Sequence, residues 1–285
     1  MFIPKILLQV PKILQSIKNE HQWLDHQLDN NQWDLIISDN RYGLYTNRTK
    51  TVFITHQLGI ISGFGRLGDV LLRTMLYRWI NLFNTCWIPD AEGHLNIAGK
   101  LSHPMSMPKD YRFIGPLSRL NNAPVLADDH LLVLLSGPEP QRTILEKKLI
   151  DQLSNLDEDV VFVRGLPSGA ATMHNSGRIR FENHLDANIL SEMISSAKMV
   201  ICRSGYSSVM DLLKLKKRAL LIPTPGQTEQ VYLAKHLDAL HWFVIQEQSH
   251  LDLDKGIAAA LSQTIEFPVL DFEAFKKAFA NLGIQ

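Results

Sequence analysis

The 285-residue chain has only two cysteines, Cys86 and Cys202, and each lies inside an apolar run. That excludes a disulfide framework and suits reduced, buried thiols in a cytoplasmic protein. No window reaches the roughly 18 apolar residues of a membrane-spanning helix, so a chain of this kind meets a membrane only by lying on it. The opening MFIPKILLQVPKILQSIKN carries two prolines and three lysines and has no small-residue cleavage site, so it does not read as a signal peptide. Glycine is missing until Gly43, which leaves the first stretch without a ligand-cradling glycine turn. Neither sign of charge prevails: 29 Lys and Arg stand against 29 Asp and Glu, so no global field draws in nucleic acid. His, Cys and carboxylates do not cluster at metal-ligand spacing, and neither a metal nor a cofactor is expected. There is no internal repeat or low-complexity segment.

What the chain does have is alternation. Short apolar or β-branched runs at 34–38, 51–55, 84–88, 130–135, 159–163, 198–202, 218–222 and 241–245 read as strands. Between them lie helical periods, such as Ile13, Leu14, Ile17, Leu24 and Leu28, or Ile144, Leu145, Leu149 and Leu153. Strand and helix in turn predict an α/β fold with parallel sheets and crossover helices. A hydrophobic fraction of 45% over this length is enough for two cores. The period breaks between 112 and 130, at Gly115-Pro116 and Asn121-Asn122-Ala123-Pro124, which puts the boundary near Leu117 and gives lobes 1–118 and 119–285. The first lobe holds 12 basic and 9 acidic residues and the second 17 and 20, so the first is the one suited to an anionic neighbour.

The most informative stretch is MVICRSGYSSVMDLLKL, residues 199–215. An apolar strand stops at Arg203, Ser204 and Gly205, and an amphipathic helix follows. A strand-to-helix turn of this kind presents free N–H groups and the positive end of a helix dipole, as an anion seat requires. Gly205 permits close approach, Ser204, Ser207 and Ser208 offer hydroxyls, Arg203 adds charge, and Asp211 can accept from a ribose diol. A second turn follows the strand RALLIPTP, where Gly226-Gln227-Thr228-Glu229-Gln230 opens another helix.

AKMVICRSGYSSVMDLLKLKKRALLIPTPGQTEQVYLAKHL, residues 197–237, resembles the donor-binding segment of GT-B glycosyltransferases of family 28. That family includes the peptidoglycan N-acetylglucosaminyltransferase and the monogalactosyldiacylglycerol synthases. SDNRYGLY, VFITHQL, CWIPDAEG, Ile97–Pro104 and FIGPLSR extend the resemblance more loosely. It implies two Rossmann-like lobes with a cleft between them and a UDP-sugar donor on the second. It further implies hexosyl or N-acetylhexosaminyl transfer with inversion and without an obligatory metal. Arg203, Ser204 and Gly205 then fall near the diphosphate, Asp211 at the ribose where the family usually has Glu, and Glu229 and Gln230 at the sugar hydroxyls. Ser136 and Gly137 take the place of the glycine-rich phosphate loop, with Pro138 removing one amide donor. Residues 182–185 face the base through backbone groups.

The first lobe departs from the family pattern. It opens on a helix rather than on a strand and glycine loop, so either the lobe is shortened or a different element replaces that opening, and the expectation is a poor catalyst by itself, restored by an upstream segment or a partner chain that completes the lobe. His56 and Asp39, each ending a strand, are the candidates for the catalytic base. The segment GRLGDVLLRTMLYRWINLF interleaves Leu67, Val70, Leu71, Leu76, Trp79, Ile80 and Phe83 with Arg66, Arg73 and Arg78. Such a helix either packs on the sheet or lies on an anionic membrane near a lipid-linked acceptor. A nucleotide-sugar hydrolase, a GT-B 2-epimerase and a non-catalytic donor-binding subunit stay open beside the transferase.

Overall fold

The computed structural model describes residues 3–61, 65–121, 130–166, 171 and 173–283. The chain divides into two compact units, one comprising Met1–Asn96, Lys100–Gly115 and Glu273–Gln285, the other Ile97–Gly99 and Pro116–Phe272. The main crossing at Gly115–Pro116 lies close to the boundary expected at 118. The expected lobe 119–285 differs at its end, because the terminal segment packs on the first unit: the Phe279 ring stacks edge-on against Trp87 with centroids 4.9 Å apart. The Asn122–Pro124 part of the expected break lies outside the described residues.

In the first unit, helix α1 (Ile3–Asn30) precedes four strands, β1 (Leu35–Asp39), β2 (Lys50–Ile54), β3 (Thr85–Ile88) and β4 (Tyr111–Phe113). Helix α2 (Gly65–Ile80) links β2 to β3. The sheet order is β1-β2-β3-β4, all parallel. Its core joins Phe53, Leu58, Ile80, Phe83, Cys86 and Ile88. On α1 only the later part of the expected apolar face is covered: Ile17, Leu24 and Leu28 are buried, whereas Ile13 and Leu14 are about half exposed. The loop after β1 rides directly on this helix. A Cβ on Gly43 would come 2.3 Å from the Ile17 carbonyl oxygen, so glycine is required there for close approach, and the Gly43 N–H donates to Glu20.

The second unit holds β5 (Leu131–Leu134), α3 (Gln141–Leu153), β6 (Val160–Val163), β7 (Ile179–Glu182), α4 (Ala187–Ser196), β8 (Met199–Cys202), α5 (Tyr206–Lys214), β9 (Ala219–Leu221), α6 (Thr228–Ala239), β10 (Val244–Ile245) and α7 (Leu253–Ser262). Helix α8 (Ala274–Ala280) belongs to the first unit. The six strands are parallel in the order β10-β9-β8-β5-β6-β7. Strands β6 and β8 are buried along their whole length, as a sheet covered by helices on both faces demands. Both cysteines are free and buried, Cys86 in β3 and Cys202 in β8, and desolvation pushes each thiol up to about 12.

Candidate functional site

Strand order locates the site. From β5 the chain runs outward through β6 and β7 on one side, then returns to β8 on the other and proceeds to β9 and β10. The crevice beyond the carboxyl ends of β5 and β8 is therefore a topological switch point, where open parallel sheets bind ligands. The loops that leave there carry Ser136 and Gly137 after β5 and Arg203, Ser204 and Gly205 after β8, while Gly226–Gln230 follows β9 next door.

The helix starts differ in how they are capped. Asp186 caps α4, accepting from the N–H groups of Asn188 and Ile189, and Asp252 caps α7, accepting from Lys255. Helices α5 and α6 start at Gly205 and Gln227 with no side-chain cap. The capped helices follow the edge strands and the uncapped ones follow β8 and β9, beside the switch point. A helix start whose N-cap residue supplies no side-chain acceptor still presents the positive end of its dipole to an anion. Helix α3 is intermediate: the Glu139 carboxylate accepts from Thr143 N–H, so its first turn already holds a negative charge. That makes the Ser136-Gly137 side a poorer anion seat than the α5 side.

Gly205 has no conformational reason to be glycine. Its φ of −75° is open to any residue, and a Cβ there would meet only Ser208 Oγ, at an ordinary 3.9 Å. No other atom of the described residues lies within 4 Å of that Cβ position, so the backbone is bare enough for a ligand to approach closely. Gly137, at φ +103°, and Gly226, at φ +84°, need glycine for their turns and likewise face open space or, at Gly137, only Thr224 Oγ1. Ser207 is exposed and Ser208 half-buried at the first turn of α5.

Three side chains make inward contacts that the sequence did not reveal. Arg203 is fully buried, and its guanidinium donates to the carbonyls of Ile222, Pro223 and Gln141 rather than reaching outward. It ties the ends of β8 and β9 to the start of α3. Burial lowers its pKa to about 10, and among the described residues it forms no salt bridge with a carboxylate. Its Nε and the Thr224 hydroxyl are buried without a hydrogen-bond partner among the described residues. Ser204 is also fully buried and donates to the Gln230 carbonyl at 3.0 Å, pinning α6 to the β8 turn. Gln230 accepts from Thr224 N–H through Oε1 at 2.9 Å, leaving its Nε2 as the side-chain donor for another partner. Residue type at a strand end was readable from the sequence, but the depth of these groups was not.

Asp211 lies half-buried on α5, and its Oδ1 accepts from Ser118 Oγ at 2.6 Å. Desolvation raises its pKa, opposed by that hydrogen bond and by Arg119. Glu229 is half-buried in the first turn of α6.

In the first unit Asp39 and His56 both come to the carboxyl edge of the sheet. Asp39 is exposed and pairs in register with Ile54, two residues before the half-buried His56. Sequence reasoning overlooked a neighbouring group. Asp90, fully buried two residues past β3, accepts from Ser102 Oγ at 2.6 Å, and Ser102 Oγ lies 2.8 Å from His103 Nδ1. An aspartate directly after the apolar run of β3 was the only available signal.

Comparison with known proteins agrees with the fold. Residues 173–277 match the family model for the glycosyltransferase family 28 C-terminal domain. That match covers just over a third of the chain and lies mostly in the second unit. No curated protein matches the chain. Among solved structures, the glycotransferase of kitacinnamycin is similar at 13% identity and a TM-score of 0.63, over 97% of this chain and 78% of that one. The UDP-GlcNAc 2-epimerase of Methanocaldococcus jannaschii, in complex with UDP-GlcNAc and UDP, gives 12% and 0.59 over 93% and 80%. The spinosyn rhamnosyltransferase SpnG, complexed with thymidine diphosphate, gives 13% and 0.53 over 95% and 76%. The chain thus has two parallel α/β units of the GT-B type, and the stretch that matches the family 28 model includes the switch-point turns after β8 and β9.

Proposed function

We propose that this protein transfers a hexosyl or N-acetylhexosaminyl group from a uridine diphosphate sugar. The bare approach to Gly205 at the uncapped start of α5 carries this reading, because it offers a phosphate backbone N–H donors, an aligned dipole and room. The diphosphate sits over α5, with the start of α6 beside it. As the sugar departs, negative charge grows on the diphosphate, and the two helix starts and the buried Arg203 charge meet it without reorganising. Asp211 accepts from the ribose, and Glu229 and the free Nε2 of Gln230 hold the sugar. Transfer proceeds with inversion and without an obligatory metal.

The acceptor hydroxyl gives up its proton on the first unit, to His56 or Asp39. A lipid-linked acceptor suits α2, whose outer face exposes Leu67, Val70, Leu71 and Met75 beside Arg78. Such a stripe lies on a membrane surface with its arginine toward anionic headgroups. A partner chain would add to the free side of β1, which among the described strands pairs only with β2.

The test is calorimetric titration of the full chain with UDP and with UDP-sugars, followed by product analysis with labelled donor. Binding of UDP that Gly205→Leu weakens by about 100-fold supports the donor site. Release of free sugar without acceptor would move the assignment to a hydrolase.

A further inference from the structure

Behind the switch point lies a buried ionic network outside the donor turns described above. Arg142 on α3 donates from Nε to Glu139 at 2.7 Å and from Nη1 to Glu146 at 3.1 Å. Arg164, the residue after β6, donates from Nε to the other Glu146 oxygen. The Arg142, Glu146 and Arg164 side chains are only 8%, 7% and 12% exposed. Arg142 Nη1 also reaches the Arg164 carbonyl at 3.3 Å.

A buried triad of this kind is a weak source of stability, because desolvation of three charges offsets most of their attraction. What it does is fix geometry, and the atoms it fixes lie in the loops beyond β6 and β7. Arg164 Nη1 donates to the Ala171 carbonyl at 3.1 Å and to Asn183 Oδ1 at 3.2 Å. The Asn183 carbonyl in turn accepts from Leu166 N–H at 2.9 Å. The network therefore ties the start of α3, at the end of the loop after β5, to the starts of the loops after β6 and β7 as one plate.

The order of the donor's parts says what the plate faces. If the diphosphate lies over α5 and the sugar over α6, on the β9 side, the base must extend the other way, across β5 toward β6 and β7. We propose that Arg164 is a positioning residue for the nucleobase: through Glu146 and Asn183 it holds the segment after β7 where a base would rest. This rests on the donor reading above.

Two measurements on the full chain test it, one of which needs no ligand. In Arg164→Met, Glu146 keeps Arg142 as its partner. Hydrogen exchange at 164–166 and 179–184 should accelerate by about tenfold or more while α5 and α6 stay protected. Affinity for UMP should fall about tenfold, the loss of a misplaced hydrogen-bonded contact, while affinity for inorganic pyrophosphate holds. Arg164→Lys should recover part of the UMP affinity. If Arg164→Met does not fold, Asn183→Ala, which leaves the triad intact, should show the same selective loss. Unchanged exchange, or equal loss of UMP and pyrophosphate, overturns the proposal. A wild-type chain that binds pyrophosphate but gains nothing from the uridine moiety also overturns it and leaves the anion seat standing. A wild-type chain that binds neither removes the donor reading and this inference with it.

Discussion

The two units are built from the same parallel-strand grammar but differ in order. The second runs β10-β9-β8-β5-β6-β7 and so contains a switch point. The described strands of the first run β1-β2-β3-β4 without reversal. A reversal opens a crevice between helices that leave the sheet in opposite directions, and a monotonic order does not. The second unit adds a chemical contrast of its own, Asp-capped helices at its flanks and uncapped ones at its centre. A helix start left uncapped forgoes about 1 kcal/mol, and nature tends to leave that undone where another acceptor is due. On the proposed reading, that difference gives anion binding to the second unit and acceptor chemistry to the first.

The largest expected effect comes from filling the space before Gly205. Gly205→Leu leaves the backbone unstrained, since among the described residues its Cβ would meet only Ser208 Oγ at 3.9 Å, and should weaken UDP binding by about 100-fold, read by calorimetry. Wild-type affinity in this variant would mean that no ligand approaches α5. Next is Arg203→Met, which removes charge from beneath the turn and strands three carbonyls. Both stability and UDP affinity should fall, each by about 1–3 kcal/mol, in denaturant melts and titrations.

Asp211→Asn should act on binding alone, with a loss of about tenfold for UDP. The sign of its effect on stability follows from the raised pKa of Asp211. The folded state holds a proton that the unfolded state has released, so stability falls as pH rises from the ordinary carboxylate range through the raised value. At neutral pH the asparagine variant should therefore be no less stable than the wild type, apart from the Ser118 hydrogen bond. Wild-type UDP affinity should drop on acidification at a pH above the ordinary carboxylate range.

A subtler change sharpens the capping contrast. Gln227→Asp gives α6 the cap that α4 and α7 already have, and its extended φ, ψ of −92°, 96° accepts one. Thermal stability should rise by about 0.5–1 kcal/mol while UDP affinity falls several-fold. A gain in both would show that the α6 start is not part of the anion seat. The smallest effect is expected from His56→Ala, which should leave UDP affinity unchanged and reduce only transfer.

Much of this fold was legible because strands buried on both faces write themselves as apolar runs, as VVFV and MVIC do. Strands β4 and β7 were not, since YRF and IRFE sit at sheet edges, where the exposed Arg112 and Arg180 interrupt any such run. The run 241–245 shortened to Val244–Ile245 because Trp242 and Phe243 bury themselves in the preceding turn instead. Within the site, Gly205 and the uncapped helix starts were readable as turn chemistry. The inward course of Arg203 and Ser204 was not, because only the packing of β9 and α6 against β8 decides it. Asp90, Ser102 and His103 escaped for a related reason: Asp90 lies 12 residues before Ser102, and only the fold brings them together.

The central claim, that the second unit seats an anion on the starts of α5 and α6, is tested most directly by following backbone amide NMR shifts while UDP is titrated into the full chain. The account predicts saturable shifts concentrated at Gly205–Ser208 and Gly226–Gln230, with β1–β4 unmoved. Shifts confined to the first unit, or none in these two turns at saturation, would contradict it.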